Sequence, residues 1–238
     1  MKVSGKFVNK FNSNAGRKIY DYSYVDRNYI WKETNDFREY QEYLKDNKKK
    51  IGAIVMNCNP FTLGHRYLIE TASHECSQLY IFVVEEDRSI FKFEDRLALV
   101  QAGVKDLKNV TVLKSGHFII SETTFPAYFN KAVQNNISVD TSQDVTFFAR
   151  YIAPELGINI RFVGEEPLDI ITNQYNATMK EILPQYGIEF RIIKRKEEGG
   201  QVISASRVRK LLKEGKFVEI KELVPETTYE YLINMKFQ

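Results

Sequence analysis

Residues 51–70, IGAIVMNCNPFTLGHRYLIE, restrict the possible folds more than any other stretch of the chain. Ile51, Ala53, Ile54, Val55 and Met56 form a short continuous apolar run, the pattern of a strand covered on both faces in a parallel sheet. Asn57, Asn59 and Pro60 stop it. Thr62 caps a following helix, and Gly64 lets its first turn come close to a ligand. His65 sits where unpaired backbone N–H groups and the positive end of the helix dipole attract phosphate. Taken alone, a capped strand–turn–helix is also common in proteins that bind nothing there.

A second opening of the same kind lies far along the chain. Ile203-Ser204-Ala205-Ser206-Arg207-Val208-Arg209 places two hydroxyls ahead of a helix that carries Val208, Leu211 and Leu212 on one face. Each serine either caps that helix or meets an anion, and each arginine either faces water or faces phosphate.

Between the two openings, apolar β-branched runs near 51–57, 79–85, 109–114, 159–164 and 188–194 alternate with helical patterns near 63–75, 94–105, 125–135, 143–153 and 173–183. This alternation predicts an α/β fold, a doubly wound parallel sheet with its ligand crevice beyond the carboxyl ends of the strands. Three short helices near 205–214, 217–223 and 227–235 finish the chain. Residues 1–50 differ in character. They are rich in tyrosine and hold the only tryptophan, Trp31, and they suggest one strand around 18–25 and one helix through Phe37, Tyr40 and Leu44. They are expected to form an extension rather than an independent domain, ahead of a main domain over 51–238.

Charge and composition exclude several classes of function. The 34 basic and 31 acidic residues leave a net charge of +3, too little for a global field that demands nucleic acid or an anionic membrane. No apolar stretch approaches the roughly 20 residues of a spanning helix, and MKVSGKFVNK lacks the apolar middle of a signal peptide, so a cytoplasmic location is expected. Cys58 and Cys76 form neither a disulfide framework nor a metal spacing and read as small core residues. His65, His74 and His117 are too scattered for zinc. No metal ligand is assigned.

The Thr62-Leu63-Gly64-His65 turn and the Ile203–Arg209 turn, in this order, resemble the nucleotidyltransferase superfamily, whose Rossmann-like fold carries a His/Thr-x-Gly-His turn and an Ile-Ser-x-Ser/Thr-x-x-Arg turn. With NPFTLGHRYLIE at 59–70, FKFEDRLALV at 91–100, ETTFPAYF at 122–129, RFVGEEP at 161–167 and ISASRVRKLL at 203–212, the chain from about residue 50 onward resembles the ligase that acetylates citrate lyase. Members of that family carry an acetyltransferase-like domain ahead of the transferase domain, for which residues 1–50 are too short.

The resemblance implies attack of acetate on the α-phosphorus of ATP, arriving with Mg2+, followed by acetylation of a prosthetic-group thiol on the acyl-carrier subunit of citrate lyase. Carried over residue by residue, Thr62 and His65 touch the α- and β-phosphates, while Ser204, Ser206 and Arg209 hold the β- and γ-phosphates. Phe61 and Gly64 on the first turn are implied in nucleotide binding, and Asn57, like Asn59, either meets the nucleotide or other substrate or binds backbone turns. Arg96 is either near the phosphates or solvated, and Gly164, with Glu165-Glu166-Pro167, meets the base or ribose or faces water. The Lys194-Arg195-Lys196 cluster and the Gly199-Gly200 pair form either a solvated loop or one that closes over nucleotide. Two alternatives stay open: a cytidylyl- or adenylyltransferase with another small phosphate or carboxylate acceptor, and a nucleotide-binding module without chemistry.

Overall fold

A computed structural model describes residues 9–11, 18–20, 49–85, 89–121, 141–166 and 170–235, and the chain divides into two compact units, residues 1–48 and 49–238. In the first unit, β1 (Asn9–Phe11) pairs antiparallel with β2 (Lys18–Tyr20). The helix expected through Phe37 and Leu44 lies outside the described residues, as do the helix expected near 125–135 and the ETTFPAYF motif.

The second unit is built on five parallel strands: β3 (Ile51–Met56), β4 (Gln78–Val83), β5 (Val110–Lys114), β6 (Ile160–Gly164) and β7 (Glu189–Ile193). Their order across the sheet is β5-β4-β3-β6-β7. The chain thus moves outward from β3 through β4 to β5, returns to the other side of β3 as β6, and ends at β7. That reversal places the topological switch between β3 and β6, where the connections leaving the two strands part and open a crevice.

Each face of the sheet is covered because the strands offer apolar side chains on both sides. One core packs Ile54, Met56, Ile81, Val83 and Phe162 against α1 (Leu63–His74) and α2 (Phe93–Gly103). Truncating a buried aromatic such as Phe162 to alanine is expected to cost about 3–5 kcal/mol. The other core packs Ala53 and Phe82 against Val145 and Phe148 on one side and Tyr175, Met179 and Leu183 on the other. These residues come from α3 (Ser142–Phe147), a π turn at Phe148–Ile152 that continues it, α4 (Ile170–Ile182) and the 3-10 turn after α4.

A third core joins α5 (Ala205–Lys213), α6 (Phe217–Lys221) and α7 (Glu226–Asn234) through Val208, Leu211, Ile220 and Leu232. It reaches α1 directly, since Leu63 packs against it and the Leu63 N–H donates to Leu223 O at 2.9 Å. On its outer side α1 is tied to α2 by Arg66, which donates to Gly103 O at 2.5 Å and grips both oxygens of Asp106. No described helix is long and apolar enough to cross a membrane.

The segment after β7 departs from expectation. Where a loop was anticipated, β8 (Glu197–Glu198) and β9 (Gln201–Val202) pair antiparallel. Gly199 and Gly200 both have positive φ, 59° and 74°, which is what a two-residue mirror-image turn requires. The Ile203 N–H then donates to Lys196 O at 3.0 Å and closes the hairpin just before α5.

Candidate active site

The first helix opening is locked by its own residues. Thr62 has extended backbone, is 1% exposed, and accepts the His65 N–H on its Oγ1 at 3.3 Å. In return the Thr62 N–H donates to His65 Nδ1 at 3.1 Å, which completes a capping box with histidine in the position usually held by Glu or Gln. A backbone N–H can only donate, so Nδ1 must accept. The neutral ring therefore carries its proton on Nε2. Phe61 backs the imidazole, with ring centroids 5.9 Å apart and planes 12° from parallel.

The second opening repeats the cap more loosely. Ser204 caps α5 by accepting the Arg207 N–H at 3.2 Å, and its Oγ lies 3.0 Å from the Oγ of exposed Ser206.

The two openings meet. A Cβ built on Gly64 would lie 2.7 Å from Ile203 O, so only glycine lets the first turn of α1 rest on the backbone that leads into α5. Arg209, one turn into α5, donates from Nη1 to Asn59 O at 2.6 Å. Two segments some 140 residues apart in sequence thus share one wall of the crevice at the carboxyl ends of the strands.

The electrostatics are cationic. Burial, together with the smaller effects of the Arg195 and Arg209 charges, lowers the His65 pKa from 6.5 to about 4, so the ring is neutral at pH 7. Arg195 follows β7 and reaches the end of β6, where its Nε donates to Glu165 O at 2.5 Å and its guanidinium pairs with the Glu166 carboxylate. In the sequence Arg195 stands out only as part of the Lys194-Arg195-Lys196 cluster. Its position just past the carboxyl end of a parallel strand, beside the strand that ends Gly-Glu-Glu, is the sequence feature that marks it.

Three of the expected site residues are buried or engaged within the protein. Phe61 is fully buried, with its ring where a Cβ on Gly103 would lie, at 2.3 Å, so it supports His65 from behind and offers no surface to a nucleotide. Arg96 is likewise 0% exposed. Its Nε donates to Phe91 O at 3.1 Å and its Nη1 to Asn57 O at 2.9 Å, Asn57 Oδ1 at 2.7 Å and Val84 O at 2.7 Å. These acceptors lie on the connections leaving β3 and β4, so Arg96 fastens the crevice floor and does not face solvent. Asn57 is engaged inside the protein too, by Arg96 and by Ser89, to which its Nδ2 donates at 3.1 Å.

Gly164 ends β6, half-buried, with Leu68 of α1 at 3.8 Å from a Cβ placed on it. Cys58 lies beneath the turn with φ of 53° and is 1% exposed, and burial drives its thiol pKa far up, which leaves it an inert core residue. Among the described residues no group of His, Cys, Asp and Glu is arranged to hold a metal.

Known proteins agree with this architecture. Residues 51–232 match the family model described as citrate lyase ligase C-terminal domain. The chain is 44% identical over 206 residues to [citrate [pro-3S]-lyase] ligase of Escherichia coli (strain K12), covering 83% of this chain and 58% of that protein. It is 41% identical over 191 residues to the Klebsiella pneumoniae protein of the same name, covering 79% and 56%. A shorter similarity, 33% identity over 112 residues, links it to phosphopantetheine adenylyltransferase of Streptococcus gordonii (strain Challis / ATCC 35105 / BCRC 15272 / CH1 / DL1 / V288), covering 45% of this chain and 68% of that one. The chain spans a little over half the length of the two ligases. The match over 51–232 contains both helix openings and every strand of the five-stranded sheet, and by it this chain belongs to the citrate lyase ligase C-terminal domain family.

Proposed function

We propose that the chain catalyses ATP-dependent adenylyl transfer to acetate and passes the acetyl group to the prosthetic-group thiol on the acyl-carrier subunit of citrate lyase, acting in the cytoplasm. The observation that carries this reading is the junction of the two helix openings, where Gly64 rests on Ile203 O and Arg209 reaches Asn59 O. One crevice then presents His65, held in place by buried Thr62, from one side and Ser204, Ser206 and Arg209 from the other, donors suited to a single triphosphate. The ligase names of the relatives supply the acceptor.

In this mechanism an acetate oxygen forms a bond to the α-phosphorus while the bond to the bridging oxygen breaks, and pyrophosphate leaves with the electron pair. Acetate is already ionised at pH 7, so no general base is needed. His65 contributes its Nε2–H to the oxygens on which charge accumulates, and its neutrality keeps Nδ1 bonded to Thr62 throughout the step. Ser204, Ser206 and Arg209 hold the β- and γ-phosphates, and Arg195 adds a second positive charge near His65. The thiol sulfur then attacks the acetyl carbonyl, AMP departs, and the thiol proton passes to water. The donors around the crevice suit phosphate oxygens and not a cation, so Mg2+ is held by the triphosphate itself.

Acetate-dependent exchange of labelled pyrophosphate into ATP, with acetyl-AMP identified by mass spectrometry, tests the reading. Exchange that ignores acetate but responds to phosphopantetheine would replace it with adenylyl transfer to a phosphate, which the streptococcal similarity favours as the second choice. Tight ATP binding without exchange under any acceptor would reduce the chain to a binding module.

A further inference from the structure

Among the described residues of the second unit two arginines are buried, Arg96 and Arg161, and their surroundings are opposite. Arg96 is surrounded by acceptors. Arg161, the second residue of β6 and the register partner of Ala53, is 2% exposed, and its Nη1 is sealed from water with no hydrogen-bond acceptor among the described residues. Its guanidinium lies over the Phe148 ring, 4.8 Å from the centroid. The neighbouring carboxylate does not satisfy it: Asp144 is fully buried and accepts the Ile120 N–H on Oδ1 at 2.7 Å and the Tyr175 hydroxyl on Oδ2 at 2.5 Å. A buried guanidinium nitrogen left without an acceptor is disfavoured, and a bound anion that accepts from it removes that penalty.

The place of this arginine matters as much as its isolation. Phe148 meets the edge of Phe82, and Phe82 is the register partner of Val55, two residues nearer than Ala53 to the carboxyl end of the sheet. The guanidinium therefore climbs from β6 toward the end of the sheet that carries the crevice, on the face opposite α1. The surroundings are small or apolar (Ala53, Phe148), apart from the tied Asp144–Tyr175 pair. A guanidinium is the group best matched to a carboxylate, and a short unbranched acid is the carboxylate that asks least room beside such walls.

We infer that Arg161 seats the carboxylate of the small acid, with Nη1 donating to one carboxylate oxygen and leaving the other for the reaction. This rests on the adenylation reading above for the fate of the acid but not for its binding. Binding of carboxyl-13C-labelled acetate to the intact chain, followed by NMR in the absence of ATP, is expected to saturate in the wild type and to weaken roughly tenfold or more in Arg161→Met. In acetate-dependent pyrophosphate exchange the same variant is expected to raise KM for acetate by a similar factor and to leave KM for ATP unchanged. Arg161→Lys, which keeps the charge but loses the planar fork, provides the same comparison if the methionine variant does not fold.

Equal acetate binding in wild type and variant would overturn the assignment, as would no saturable binding by the wild type or an equal loss of affinity for ATP and acetate. Acetate binding that depends on Arg161 without any exchange would leave the seat standing and remove the adenylation reading instead.

Discussion

The two helix openings carry the same capping chemistry and differ in how firmly it is held. At α1 the cap is reciprocal, buried and backed by an aromatic ring: Thr62 and His65 satisfy each other, and Phe61 stacks behind. At α5 the cap is one-sided, with Ser204 satisfying one N–H and an exposed Ser206 beside it. Under the proposed function the two openings have reason to be built unequally. The donors that face the reacting phosphorus gain most from being fixed before charge develops, whereas those that hold a departing pyrophosphate must also release it.

The largest effect should come from breaking the rigid side. His65→Ala removes the Nε2–H donor and half of the capping box, and kcat is expected to fall on the order of a hundredfold, comparable to losing one preorganised oxyanion donor. Affinity for ATP should move far less, because the α5 side is untouched. Steady-state kinetics with acetate and ATP varied separately measures both. An unchanged kcat would remove His65 from the chemistry and leave it a capping residue only.

Next in size is the contact that joins the two sides. Gly64→Ala sets a methyl group 2.7 Å from Ile203 O, a backbone atom that cannot swing away, so one opening must shift from the other. A loss of about 1–3 kcal/mol in urea unfolding is expected, as for other overpacked sites, together with weaker ATP binding. A fully stable and fully active variant would show that the junction is not shared.

The caps themselves come third. Thr62→Ala leaves the buried His65 N–H without its acceptor, while the backbone N–H of residue 62 still donates to the imidazole, so a cost near the upper end of the usual range, about 2 kcal/mol, is expected. Ser204→Ala should cost about 0.5–1 kcal/mol, because the Arg207 N–H at the more open end can turn to water. Equal costs would erase the distinction between the openings.

The same contrast explains what could be read from the residues alone. The first strand, its turn and the α1 cap were evident because each depends on neighbours in sequence: an apolar run, a Thr at the cap, a Gly in the first turn. The five strands and the α5 helix follow from periodicity in the same way. Arg96 read from the residues alone as either near the phosphates or solvated, and its complete burial excludes the second. Its burial comes from the connections after β3 and β4 folding over it, which no local pattern encodes. The β8–β9 hairpin escaped notice since only two residues of each strand pair and the Glu-Glu-Gly-Gly-Gln-Val run has no apolar alternation. Arg161 left a trace, a charge inside an otherwise apolar strand, but its missing partner is visible only once α3 and α4 pack around it.

The smallest expected effect is a titration that only the rigid opening can show. With its pKa lowered from 6.5 to about 4, His65 stays neutral in the folded protein over a range where it binds a proton in the unfolded chain. The unfolded state then binds more protons, so stability is complete above about pH 6.5 and declines as pH falls toward 4. Asp106, lowered to about 2 chiefly by its hydrogen bond with Arg66, works in the same direction but only below the ordinary carboxylate range, so it does not enter this window. Between pH 7 and pH 6 the decline due to His65 should be less than about 1 kcal/mol, reduced further because the ring is only partly enclosed. His65→Gln keeps an acceptor for the Thr62 N–H, since glutamine is an ordinary capping-box residue, but has nothing to titrate. Urea unfolding of wild type and His65→Gln at both pH values isolates the difference. A wild-type decline that persists in the variant would assign the titration to another group and would mean that the α1 opening tolerates a charged ring.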